Sequence, residues 1–127
     1  MRRADQRRAA VVALYQHEVT DRPIADLLGR EASSFTRELV DGVLEHQDEL
    51  DGLIERYAKG WTVERIAPLE RSILRLSLYE MLHRVDAPDE VSIDEAVEAA
   101  KELCAAEAPG FVNGILGAVK RTEVTPQ

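Results

Sequence analysis

A chain of 127 residues, 45% hydrophobic and 31% charged, is long enough for one domain with a buried core and too apolar for wholesale disorder. Its formal charge of −8 lacks the basic footprint usual for binding nucleic acid, and no apolar run approaches the roughly 18 residues that span a membrane. The single cysteine, Cys104, precludes an internal disulfide, and Met1-Arg2-Arg3 is not followed by the apolar stretch of a signal peptide, so a cytoplasmic location is expected.

Hydrophobic periodicity is helical throughout, with no alternation long enough for a strand. The first helix is expected over residues 3–19, with Ala10, Val11, Leu14 and Tyr15 on one face. Arg3 and Arg7 prolong that stripe backwards, so a helix tip that overhangs the bundle and presents arginines is expected. Asp21-Arg22-Pro23 marks a turn into a short segment at 24–28, which Gly29 can end. A third helix starts near Ser33 or Ser34 and carries Phe35, Leu39, Val40, Val43 and Leu44. A fourth, with Asp48 as its cap, carries Leu50, Leu53, Ile54 and Tyr57, although nothing in the sequence forces a break between the two. Gly60 closes this section, and Thr62 is a candidate cap for a short turn through Ile66.

Pro68 suits the first turn of the next helix, Leu69 to about His83. That helix is apolar over most of its circumference and is expected at the centre of a C-terminal lobe. A loop follows over 85–90. Ser92-Ile93-Asp94-Glu95 has the capping-box pattern, which predicts a helix from Ser92 to about Cys104 with Val97, Ala100 and Leu103 inward. Pro109 opens the last helix, with Phe111, Val112, Ile115, Leu116 and Val119 on one face, and residues 124–127 are expected to fray.

Catalytic patterns are missing. His17, His46 and His83 are far apart and match no metal-ligand spacing, so each reads as an ordinary helical or helix-end residue. Residues 110–117 hold glycines without the Lys-Ser/Thr of a phosphate loop, and no nucleophile elbow or Cys/His pairing stands out. The carboxylates read as solvated helix faces. No enzyme activity, metal or cofactor is expected.

Two runs remain. Arg2, Arg3, Arg7 and Arg8 crowd the first eight residues, opposed only by Asp5, while the acidic excess lies further along. They serve either as a solubilising start or as phosphate contacts, since guanidinium forks bind phosphate oxygens in pairs. Phe111-Val112-Asn113-Gly114 is either core or a stacking ring beside an amide that reads a base edge. Gly114 and Gly117 each cost about 1 kcal/mol relative to alanine in a helix, which suggests close approach there by another helix or a ligand.

Taken in order, several segments resemble the NusB family. They are Arg7-Arg8-Ala9-Ala10 through Ala13-Leu14-Tyr15-Gln16, Leu39-Val40-Asp41-Gly42-Val43, and Ile73-Leu74-Arg75-Leu76-Ser77-Leu78-Tyr79-Glu80-Met81-Leu82. Ser92-Ile93-Asp94-Glu95-Ala96-Val97-Glu98-Ala99-Ala100-Lys101 and Phe111-Val112-Asn113-Gly114-Ile115-Leu116 complete the series, which covers nearly the whole chain. The resemblance implies a compact all-α domain of about six to seven helices in two packed bundles, with lobes at about residues 1–60 and 61–122. It implies a transcription antitermination factor that binds boxA-type single-stranded RNA together with NusE, a small-subunit ribosomal protein. That pair would join the RNA polymerase antitermination complex, notably on ribosomal RNA operons. Carried over by position, the RNA-side residues are Arg2, Arg3, Arg7, Arg8, Tyr15, Glu80, Phe111 and Asn113, with Arg75 beside them. The Glu80 carboxylate would accept from base amino groups, and the acidic flank would dock a basic ribosomal protein.

The chain also departs from the family. Ala4 and Asp5 dilute the basic first helix, Gly110 stands where lysine is common, and Gly117 where aspartate is common. Fewer cations weaken stand-alone RNA affinity and flatten its salt dependence, so NusE is expected to strengthen binding. Two rivals are an acidic helical protein–protein adaptor and an RNA-binding domain detached from an rRNA cytosine methyltransferase, for whose methyl-donor domain this length leaves no room. A homodimer that hides the RNA face is left open. On the NusB resemblance, the cationic helix tip and the Phe-Asn run are expected to form a single surface that grips one strand.

Overall fold

The computed structural model describes residues 2–124; Met1 and residues 125–127 of the expected frayed end lie outside the described residues. The chain order is α1 (Arg3–Thr20), α2 (Ile24–Leu27), α3 (Ser34–Glu45), α4 (Gln47–Tyr57), a 3₁₀ turn (Val63–Arg65), α5 (Pro68–His83), α6 (Asp89–Leu103) and α7 (Ala108–Thr122). Among the described residues there is no strand, and no helix is long and apolar enough to cross a membrane.

Local signals set most of the helix ends. α1 stops where Asp21 turns left-handed (φ 59°) and returns its N–H to the His17 carbonyl. Aspartate tolerates this region because its short side chain can bond locally. The Ser33 hydroxyl accepts from the Thr36 N–H at 3.0 Å and so satisfies a free donor at the start of α3. Pro68 occupies the first turn of α5, where its missing N–H has no helical partner to lose. Gly60, at φ +89°, turns the chain after α4 in a conformation open to glycine.

One local question is decided and three local expectations are corrected. α3 and α4 are separate helices, parted at His46, whose φ of −108° and ψ of 16° leave the regular helix. Asp48 lies inside the first turn of α4 and does not cap it; its charge there still complements the positive helix end. α6 starts at Asp89, one turn before the Ser92 box. Pro88 has φ −62°, and Asp89 and Glu90 supply first-turn charge, so the helix nucleates earlier. Ser92, only 2% exposed, is an interior residue whose N–H continues the ladder to the Pro88 carbonyl at 3.3 Å. Val124, expected to fray, packs against the core and bonds back to the Val119 carbonyl at 3.3 Å.

α5 is the axis of the molecule. It touches α1, α3 and α4 as well as α6 and α7, beyond the C-terminal neighbours expected for it. Ile73, Leu74, Leu76, Leu78 and Met81 are accordingly buried on several of its sides. The close helix approach falls at Gly42, where a Cβ would collide with the Tyr79 ring of α5. It does not fall at Gly114, where a Cβ would meet open space, and at Gly117 a Cβ would meet only the flexible end of Arg121.

Candidate nucleic-acid interface

α1 hands its arginines to different neighbours. The Arg2 side chain is 83% exposed and lies 3.6 Å from Asp5. Arg3 sets its guanidinium 3.8 Å from the Phe35 ring centroid, a cation over a π face. Arg84 and Arg7 approach the same ring at 5.2 and 5.5 Å. Arg7 is buried: its Nε donates to both Glu80 oxygens at 2.9 and 3.1 Å, and its Nη2 donates to one of them at 3.0 Å. Its Nη1 lies 3.6 Å from Glu95. Arg7 therefore turns into the bundle, where α5 supplies a buried carboxylate, while Arg3 stays exposed on the Phe35 ring of α3. Arg8 points elsewhere, with its Nε 3.1 Å from Glu102 of α6.

Arg75 is internal as well. It forks onto Asp51 at 2.7 and 3.0 Å and reaches Glu18 at 2.9 Å. Glu18 is shared with Arg71 at 2.8 Å. Burial pushes the Glu18 carboxyl up, but hydrogen bonds and charge from Arg75 and Arg71 outweigh burial and hold it below the usual glutamate range. Arg75, Arg71 and their acids thus tie α1, α4 and α5 together.

Phe111, half-buried at the start of α7, faces a groove of about 420 Å³. The Trp61 ring stands edge-on to it at 6.4 Å. Trp61 is 46% exposed, and the Arg65 guanidinium lies 5.7 Å from its ring centroid. Glu70 and Glu107 line the same groove. Burial, and then the Glu107 charge, hold the Glu70 carboxyl above the usual glutamate range. Asn113 is exposed and faces a different cleft, with Asp94, Glu98 and Lys101 of α6. Tyr15 is half-buried, two helical turns beyond Arg8 on the same stripe.

α1 meets α6 through Arg7–Glu95 and Arg8–Glu102, and Asn113 faces the same helix at Asp94, Glu98 and Lys101. The fold joins Arg7 to Glu80 and Phe111 to Trp61, and it holds Arg75 in a separate ion-pair network. Trp61 and Arg65 were missed from the sequence. Their signal was a lone tryptophan after Gly60 with an arginine four residues on, outside any apolar stripe.

The NusB family model matches residues 4–121. The chain belongs to the NusB family. A transcription antitermination protein NusB from Symbiobacterium thermophilum is 50% identical over 96 residues, covering 76% of this chain and 63% of that protein. Its counterpart in Halalkalibacterium halodurans is 45% identical over 122 residues, covering 91% of each. The chain spans 63% of the first NusB and 64% of another from Frankia casuarinae, just under two thirds of their lengths. A T. maritima NusB structure aligns with a TM-score of 0.87 at 34% identity, covering 96% of this chain and 92% of that one. A structure of antitermination factors NusB and NusE in complex with dsRNA aligns with a TM-score of 0.81 at 24% identity, covering 95% and 98%, and shows the fold alone. Every candidate from Arg7 to Asn113 falls within the NusB match, and Arg2 and Arg3 precede it.

Proposed function

We propose that this protein is a non-enzymatic, cytoplasmic transcription antitermination factor that binds boxA-type single-stranded RNA together with NusE. It joins the transcribing RNA polymerase, notably on ribosomal RNA operons, as one NusB-like domain whose two lobes meet near residue 60. Membership of a family whose relatives are named antitermination proteins supports this.

The observation that carries it is the exposed Trp61–Phe111 edge with Arg65 against the tryptophan. Unpaired bases present π faces and amino edges. Aromatic rings stack on the first, and the Glu70 and Glu107 carboxylates accept from the second. Arg2, Arg3 and Arg8 contact phosphates, Tyr15 adds a stacking surface, and Asn113 reads a base edge across α6. Arg7, Glu80 and Arg75 act by position, because their buried pairs hold α1 against α5. Carboxylates already sit beside Arg2 and Arg8, so RNA must displace them. Binding by the chain alone is then weak, and NusE, docked on the acidic flank, strengthens it.

The test is anisotropy of a labelled boxA-like single-stranded RNA, with and without NusE, at two salt concentrations. NusE should tighten binding, and Trp61→Ala and Phe111→Ala should each cost about 1–3 kcal/mol of RNA affinity. Replacing Arg2, Arg3 and Arg8 by alanine should lower the salt slope while NusE binding persists. Equal RNA affinity with and without NusE, or wild-type binding by both aromatic variants, defeats the proposal.

A further inference from the structure

The fold gathers two histidines that are remote in sequence. His46 stands at the corner between α3 and α4, Glu49 in the first turn of α4, and His83 is the last residue of α5. One ligand atom from each lies within 4.8 Å of the others. The two imidazole centroids are 4.0 Å apart, and the Tyr79 ring flanks both at 5.6 and 5.5 Å.

The hydrogen-bond partners orient the rings. His46 Nδ1 lies 2.9 Å from the Gly42 carbonyl, which only accepts, so Nδ1–H donates to it and Nε2 is the nitrogen left for a ligand. His83 Nε2 lies 2.8 Å from Glu49 Oε1. We propose that His46, Glu49 and His83 form a binding site for a transition-metal dication of the zinc class. Two imidazoles and a carboxylate select zinc-class ions over magnesium or calcium, which prefer all-oxygen shells. A backbone carbonyl on the far nitrogen of a ligating histidine is the usual orienting contact, and His46 already has it. Asp48 beside Glu49 adds negative charge in the same turn. On binding, the ion replaces the proton between His83 and Glu49, which moves to His83 Nδ1 or to solvent. Solvent completes the coordination on the exposed side, where the Glu49 side chain is 50% accessible. A bound ion clamps the α3–α4 corner to the end of α5.

Titration calorimetry of the metal-stripped full chain with zinc chloride tests this, with the absorption bands of bound cobalt as a second readout. One ion per chain is expected. His83→Gln and Glu49→Gln, both at exposed positions, should each weaken binding at least about tenfold and abolish the tetrahedral cobalt bands, with helical circular dichroism unchanged. A variant carrying His17→Gln and Cys104→Ser should bind as wild type does. No binding at millimolar zinc, wild-type affinity in both His83→Gln and Glu49→Gln, or loss in the His17/Cys104 variant overturns the assignment. RNA and NusE binding are not read in this experiment, so its outcome is separate from the antitermination proposal.

Discussion

Arg7→Ala is the sharpest perturbation the structure offers. Arg7 and Glu80 are 7% and 4% exposed, and three hydrogen bonds of 2.9 to 3.1 Å join them. Deleting the guanidinium leaves a buried carboxylate without its donor. Removing one member of such a pair costs about 3–5 kcal/mol, mostly the penalty of the charge left behind. In a domain of this size that lowers Tm by roughly 10–20 °C. Glu80→Gln is milder, because an amide oxygen still accepts one bond and Arg7 keeps Glu95 at 3.6 Å; about 1–3 kcal/mol is expected. The double variant Arg7→Met with Glu80→Leu removes both charges and fills the space, so it should fall within about 1–2 kcal/mol of wild type. Urea unfolding followed by circular dichroism closes the cycle, with a coupling energy of about 2 kcal/mol or more expected. If Arg7→Ala left stability unchanged while abolishing RNA affinity, the fork would be a phosphate contact and the structural argument would be wrong.

Four further outcomes are expected. Glu18 is held ionised by Arg75 and Arg71, so its charge contributes stability above the ordinary glutamate pKa, and that contribution is lost as pH falls through the depressed value; Glu18→Gln should flatten the acid limb of urea midpoints measured from pH 7 to pH 3. Glu70 has the opposite sign: its raised pKa favours the fold at low pH, an advantage lost as pH rises through the folded value, so Glu70→Gln should be at least as stable as wild type at pH 7 in the same urea assay. Gly42→Ala must push the Tyr79 ring aside, at about 1–3 kcal/mol, only partly offset by about 1 kcal/mol of helix propensity. Gly114→Ala, with open space at its Cβ, should gain up to about 1 kcal/mol in the same urea assay, and a comparable loss there would refute the contrast.

α1, α3 and α7 were legible because each writes an apolar stripe at helical spacing, and a stripe is a property of one segment. The boundary errors arose where a local motif competed with packing. Ser92-Ile93-Asp94-Glu95 fits a capping box, yet Pro88 and two acids start α6 earlier and Ser92 turns inward. Nothing local marked the break at His46, and nothing in the spacing showed that Arg7 would be buried.

The order of motifs from Arg7 to Leu116, with helical periodicity throughout, determined family and fold class before any coordinates, because both depend on residues close together in the chain. Tertiary structure alone decided what each side chain meets. Arg7 and Glu80 are 73 residues apart, and no periodicity in the chain says that they meet. Trp61 reaches Phe111, and His46 reaches His83, for the same reason: α5 is packed on several sides, and its neighbours converge at its two ends from distant parts of the chain.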